Sequence, residues 1–492
     1  MATPPASAID LATLALDSFH GRHVAVLGLA RSGIALARFL ADQGAQVTVY
    51  DGRDADALSE AVAALGERRP RLLLGPQVAP MDALAGQALI CTSPSINSRY
   101  PTTEPRLRAA LADVEAEGRV PVVSEIDLFL RLCPATTVGV TGTKGKTTTS
   151  SLAAAVLAAG EAPAVLGGNI GVPLNERLPE LTSEHRVVLE LSELQLPTLS
   201  RGTHTAVYTH VTSDHLDRHG SLEAYREVKR RLAELLPATG TLVRNEDDPV
   251  VSAYHAPAGV RIVRYARSMP ATDGVGVAAG WVVAGPALAR EGHDGRILPV
   301  ADIPLPGEHN VSNVLAAVAV GLLHDVPPDA IASAVRGFGG VEHRLERVAE
   351  VAGVTYINDS QGTQPDAVIA AVHAFERPLV LIAGGRSKGV PVDTLAAAVA
   401  ERVTAAVLIG ETADELAEAF TAAGLARIER AASMGVAVET ATAIAREQVP
   451  ATVLLSPAAA SFDMYHDYEA RGAAFKAAVT AVAERTGEGS RR

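Results

Sequence analysis

The chain has 492 residues, with 56 acidic side chains against 43 lysines and arginines and a formal net charge of −13. That length exceeds what one hydrophobic core organises and points to about three domains of roughly 150 residues each, while the acidic balance argues against a nucleic-acid partner and leaves small molecules. Its two cysteines, Cys91 and Cys133, exclude a disulfide framework and a thiolate metal cluster. No apolar run approaches the roughly 20 residues of a membrane span, so the expectation is a monomer in the cytoplasm.

Short β-branched runs alternate with Ala/Leu-rich helical patterns along the chain, which predicts an α/β protein built on parallel sheets. The first unit, HVAVLGLARSG (23–33), a helix to about Gln43 and QVTVYD (46–51), reads as a Rossmann-like strand, glycine turn, helix and strand. Gly28 and Gly33 stand where the first and third glycines of a dinucleotide fingerprint belong, but Ala30 holds the middle position and hinders close approach to a pyrophosphate. With Asp51 ending the second strand, a uridine- or ribose-bearing ligand fits better than NAD. A boundary is expected near Leu132.

Next, Thr137–Val140 reads as a buried strand that breaks into TGTKGKTTT (141–149), a variant P-loop with Val140 where the general pattern has glycine. Backbone N–H groups around Gly142 and Gly145 can meet phosphate oxygens, Lys146 adds a point charge and Thr147 is placed for Mg²⁺, so the loop implies ATP. A helix is expected over 150–159, then a charged helix over 221–236 and short strands over 240–305. Asn310 and Asn313 share a face at another helix start, where they either cap it or hydrogen-bond an adenine. FGGVEHR (338–344) reads as a hinge. Beyond it GVTYINDS, RPLVLIAGG, VTAAVLIG and ATVLLSPAAAS each end a strand in small or polar residues, predicting a second Rossmann-like domain. The expected domains are 1–132, 133–340 (P-loop ATPase-type sheet) and 341–492.

Nine segments in order, TGTKGKTT, GGNIG (167–171), ELSELQL (190–196), VTSDHLDRHG (211–220), YREVK (225–229), GEHNVSN (307–313), VEHRLE (341–346), NDSQGT (358–363) and SPAAASFDMY (456–465), resemble the Mur ligase family of peptidoglycan synthesis. LGLARSG, SPS at 93–95 and the terminal SPAAASFD look most like the branch that joins D-glutamate to UDP-N-acetylmuramoyl-L-alanine with ATP, through an acyl phosphate.

The resemblance implies catalytic roles for Lys146, His215 and Lys229. It implies nucleotide contacts from Gly142, Thr143, Lys144, Gly145, Lys146, Thr147, Thr148, Asn310 and Asn313, joined by Arg344 and Asp359 on closure of the third domain. Two Mg²⁺ ions would be held by Thr147, Glu190, His215 and a carbamylated Lys229. Arg31, Ser32, Asp51, Arg53, Asn169, Ser192 and Gln195 would hold the nucleotide sugar, and Gln361, Thr363, Lys388, Ser461 and Tyr468 the acidic amino acid. On residue type alone, Glu190 is equally an ordinary strand-end carboxylate, His215 a helix cap and Lys229 a solvated cation.

One loop departs from the family. Where the D-glutamate enzymes usually read NDSKATN this chain has 358-NDSQGTQ-364, with neutral Gln361 in place of a lysine and Arg386 as a cation able to compensate. That leaves L-glutamate or another acidic acceptor open. A folylpolyglutamate-type ligase is disfavoured by the N-terminal Rossmann-like unit, and a non-catalytic nucleotide sensor by retention of Lys146, Glu190, His215 and Lys229.

Overall fold

A computed structural model describes residues 8–100, 103–171, 173–212, 219–290, 294–305, 307–387 and 390–486. The chain forms two compact units, Met1–Phe338 and Gly339–Arg492, carrying three sheets between them.

The first sheet comprises β1 (His23–Leu27), β2 (Gln46–Asp51), β3 (Arg71–Leu74), β4 (Leu89–Thr92) and β5 (Val122–Ser124), all parallel in the order β3-β2-β1-β4-β5. Val24 to Leu27 are fully buried, as expected of a parallel strand covered on both faces. Because the chain leaves β1 for β2 on one side and reaches β4 on the other, a crevice opens at the strands' C-terminal ends. The helix Arg31–Asp42 starts there, and a Cβ on Gly33 would lie 1.7 Å from the Gly28 carbonyl oxygen, so only glycine allows this turn and helix to touch.

The second sheet, in the same unit, has nine strands: β6 (Thr136–Thr141), β7 (Ala164–Gly168), β8 (Arg186–Glu190), β9 (Thr205–Tyr208), β10 (Thr241–Asn245), β11 (Arg261–Tyr265), β12 (Gly274–Ala278), β13 (Trp281–Ala284) and β14 (Arg296–Pro299). Their order is β14-β13-β12-β11-β10-β9-β6-β8-β7, parallel up to the antiparallel edge formed by β12, β13 and β14. The helix Glu308–Leu323 is apolar on every side, and Val314 to Val320 are fully buried against the helix Lys146–Ala158. That burial fixes the helix behind the phosphate loop.

Gly339–Arg492 carries the third sheet: β15 (Glu346–Val351), β16 (Val354–Asn358), β17 (Leu379–Gly384), β18 (Ala405–Ile409), β19 (Ile428–Arg430) and β20 (Ala451–Leu455), ordered β15-β16-β20-β17-β18-β19. Only β15 is antiparallel, and apolar clusters fill both faces.

Candidate active site

Strand β6 lies between β8 and β9 and delivers the loop 142–145 to the C-terminal end of the sheet. Gly142 has φ +153°, and a Cβ there would lie 2.0 Å from Thr209 Oγ1; Gly145 sits at φ +85° as the left-handed N-cap of the helix. That cap starts the helix at Lys146, four residues ahead of the expected Ser150. Lys146 Nζ folds back to donate to the carbonyl oxygens of Gly142 (3.1 Å) and Thr143 (2.9 Å). Loop backbone, cation and helix N-terminus thus lie side by side, the set of groups that suits a phosphate. Thr147 is buried at the first turn, and Thr148 half-buried beside it.

Glu190 ends β8 in register with Val140 and is 2 % exposed. Its Oε1 accepts from Asn169 Nδ2 at 2.8 Å, whereas Oε2 is buried with no hydrogen-bond partner among the described residues. A carboxylate oxygen left in that state next to a phosphate loop fits a hard divalent cation such as Mg²⁺. Asn169, expected at the sugar, also donates its backbone N–H to the Glu190 carbonyl oxygen.

The helix Leu222–Glu234, N-capped by Ser221, turns Tyr225 and Lys229 inward, so the solvated-cation reading of Lys229 does not hold: it is 0 % exposed. Tyr225 Oη lies 2.9 Å from Thr143 Oγ1, and Lys229 Nζ 5.4 Å from the Tyr225 ring centroid. The lysine is therefore one side chain away from the phosphate loop. His219 packs edge-on against both Tyr225 and Tyr100, linking this helix to the first-sheet region.

Asn313 Oδ1 accepts from Thr149 Oγ1 (3.1 Å) and its amide nitrogen donates to Asn310 Oδ1 (3.0 Å), tying the helix Glu308–Leu323 to the loop's own helix. Beside this pair a cavity of about 330 Å³ is lined by Lys144, Gly145, Thr209, His210, Asn245, Tyr265, His309, Ser312 and Asn313. His210 Nδ1 is 2.6 Å from Asp248 Oδ2. Sequence spacing offers no hint of that pair, since its members are far apart in the chain, whereas His309 stood unremarked inside GEHNVSN.

In the first sheet's crevice a cavity of about 430 Å³ is lined by Gly28, Ala30, Asp51, Arg53, Ser93 and Ser95 among others. Burial pushes the Asp51 carboxyl up, but hydrogen bonds from Arg53 and the Leu29 N–H outweigh it and hold the group below its ordinary value. Arg31 and Ser32 open the helix at this crevice. Ser192 and Gln195 are buried and bonded to each other at 3.1 Å. A larger cavity of about 690 Å³, lined by His23, Gln46 and Arg71 among others, lies at the opposite strand ends and contains none of the predicted residues. His215 and Lys388 lie outside the described residues.

In Gly339–Arg492 the predicted residues gather at the C-terminal ends of β16 and β20. Asp359 accepts from Ser456 Oγ (2.7 Å) and the Leu345 N–H (3.2 Å), and burial pushes its carboxyl up to about 6 despite those bonds and nearby Arg344. A Cβ on Gly362 would fall 2.3 Å from Asp359 Oδ2, so glycine in this departing loop answers to local packing. Gln361 donates its N–H to the His343 carbonyl oxygen, and Thr363 to that of Gln361. Ser461 is buried, and the Tyr468 carbonyl oxygen accepts from Ser360 Oγ.

Sequence reading missed Arg471. It is 1 % exposed and donates to Ser360 Oγ (3.0 Å), Ser360 O (2.9 Å) and Ala459 O (3.1 Å), clamping the loops after β16 and β20 together. Burial lowers its guanidinium to about 10.

Three family patterns match the chain: a Mur ligase MurD-like N-terminal domain over residues 22–115, a Mur ligase middle domain over 140–321 and a Mur ligase, glutamate ligase domain over 343–459. The UDP-N-acetylmuramoylalanine–D-glutamate ligase of Symbiobacterium thermophilum is 41% identical over 462 residues, covering 93% of this chain and 98% of the relative. That of Acidobacterium capsulatum is 38% identical over 465 residues, covering 94% and 96%. Among solved structures, the UDP-N-acetylmuramate-alanine ligase MurC of Thermotoga maritima superposes with a TM-score of 0.54 at 16% identity, covering 94% of this chain and 100% of that one, a likeness of fold.

Proposed function

The chain belongs to the Mur ligase family, within it to the UDP-N-acetylmuramoylalanine–D-glutamate ligases, and from that premise we propose how its residues perform the reaction. The enzyme adds D-glutamate to UDP-N-acetylmuramoyl-L-alanine with ATP, in peptidoglycan precursor synthesis. The observation that carries the mechanism is the buried Glu190 Oε2, without a hydrogen-bond partner among the described residues, beside the loop that Lys146 closes.

In the first step a carboxylate oxygen of the nucleotide sugar attacks the γ-phosphorus, and the bond from that phosphorus to the ADP oxygen breaks. In the second the glutamate nitrogen attacks the acyl carbon, the carbon–oxygen bond to phosphate breaks, and the nitrogen gives up a proton. Bringing phosphate and carboxylate together opposes like charges in a water-poor site. Lys146 and the N–H groups of the loop 142–145 neutralise the phosphates, and His309 and Asn313, the latter bonded to Asn310, line the space offered to the nucleoside. Thr147, Glu190, His215 and Lys229 would hold Mg²⁺, two ions in all, which when bound screen that repulsion. For Lys229 this requires its ammonium group to lose a proton, the nitrogen to bond CO₂ and a second proton to leave, giving a carbamate whose oxygens replace the cation. The Asp51–Arg53 pair and Ser93 would take the uridine diphosphate, Gln361, Thr363 and Ser461 the amino acid.

Phosphate release from ATP, Mg²⁺ and UDP-N-acetylmuramoyl-L-alanine tests the reading, with D-glutamate, L-glutamate or no amino acid. D-Glutamate alone is expected to stimulate, and Glu190→Gln to lower the rate by about 10²- to 10³-fold. Stimulation by L-glutamate alone would move the stereochemical assignment to the 358–364 loop; stimulation by neither sinks the ligase reading. Stripping CO₂ from the buffers should slow the wild type, with recovery on adding bicarbonate; an unchanged rate would remove the carbamate.

A further inference from the structure

Resting on the ligase reading above, we propose that Arg386 selects an acidic acceptor by pairing with the acceptor's side-chain carboxylate. An amino dicarboxylate ready to react carries a free amine and two carboxylates, so its site must supply cations. Position 361, in the loop that ends β16, is neutral. Among the described residues nearby, Arg471 is committed to Ser360 and Ala459, and Lys476 to Glu342 and Glu346; Lys388, the acceptor cation expected from the sequence, lies outside them.

Arg386 follows β17 directly and is built into the same strand ends. Its backbone N–H donates to the Ala460 carbonyl oxygen (2.8 Å) and its own carbonyl oxygen accepts from the Ala460 N–H (3.1 Å), which holds it one residue from buried Ser461. Gly385 makes this approach possible: at φ +146°, a Cβ on it would lie 2.2 Å from the Ala460 carbonyl oxygen. By contrast the side chain is loosely held, 57% exposed, with Nε 3.5 Å from a Glu411 carboxylate that is itself 55% exposed. An exposed pair with such geometry contributes little, so a ligand carboxylate can take Glu411's place on the planar guanidinium, bonding two of its N–H groups at once.

The test is steady-state kinetics of phosphate release for wild type, Arg386→Ala, Arg386→Lys and the double variant Arg386→Ala/Gln361→Lys, with D-glutamate against D-glutamine. In Arg386→Ala the KM for D-glutamate is expected to rise about 10- to 100-fold, the range for losing a charge-assisted hydrogen-bonded pair. KM for ATP should stay put, and the preference for glutamate over glutamine should collapse. Arg386→Lys should keep part of that preference, and the lysine at 361 should restore part of it. A glutamate KM within two-fold of wild type, or an unchanged glutamate-to-glutamine ratio, overturns the assignment while leaving the ligase reading intact. Absence of any glutamate-dependent phosphate from the wild type would instead overturn both.

Discussion

Asp359 is held in a form its surroundings disfavour. Burial pushes its carboxyl from 3.8 up to about 6. Between about pH 4 and pH 6 the unfolded chain has already released this proton while the folded chain retains it, so folding stability falls as pH rises through that window and stays lower above it. Roughly two pH units correspond to at most about 3 kcal/mol. Asparagine does not ionise, can still accept the Leu345 N–H, and can donate to Ser456 Oγ. Asp359→Asn is therefore expected to melt above the wild type at pH 8, with the gap closing towards pH 4, while phosphate release drops. A lower melting temperature for the variant at pH 8 would refute this sign. At this scale the sequence was readable where a residue's role is local, as for Lys146 after its glycines. It was silent on Arg471, which in YEARGAAF looks like one more helix-surface charge; its burial depends in part on Ser360, 111 residues earlier in the chain.

The phosphate loop shows how far one element determines itself. Strand, glycines and lysine are contiguous, so both the break at Gly142 and the helix after it could be read from residue types alone; the earlier helix start came from the left-handed cap at Gly145. What fixes the loop's shape comes from elsewhere: Thr209 Oγ1 bonds the Lys144 carbonyl oxygen, Asn313 holds Thr149, and Tyr225 reaches Thr143. None of these pairings has a spacing rule. Their consequence is steric, because Gly142 faces Thr209 Oγ1 where a methyl group would stand 2.0 Å away. Gly142→Ala must move that threonine, which is pinned by its bond to Lys144, and adopt a backbone conformation costing about 1–3 kcal/mol for a residue with a Cβ. Calorimetric titration with ATP should show affinity reduced by at least about 10-fold, with thermal unfolding only modestly lowered. Unchanged ATP affinity would mean that the loop does not contact the phosphates through its backbone.

For the whole molecule, the alternation of strand and helix patterns identified α/β architecture, since period and composition are properties of each segment. Strand order was less accessible: β20 inserts between β16 and β17, a pairing set by which buried faces meet after collapse. Compactness changes between Phe338 and Gly339. Gly339–Arg492 encloses two apolar clusters of its own, one built around Val380, Val453 and Phe475 and the other around Leu381, Leu408 and Phe420. Among the described residues its six strands pair only with one another, and a domain of this size has enough interior to fold independently. Expressed alone, residues 339–492 should unfold in one cooperative thermal transition, because both clusters share the central strands β16, β17 and β20 and cannot melt separately. Near-UV circular dichroism of the fragment through that transition provides the check, together with phosphate release, which should be nil because Lys146 and Glu190 belong to the other unit. A fragment without a cooperative transition would mean that its fold depends on residues before 339, and the two units could then not be treated as separate stability elements.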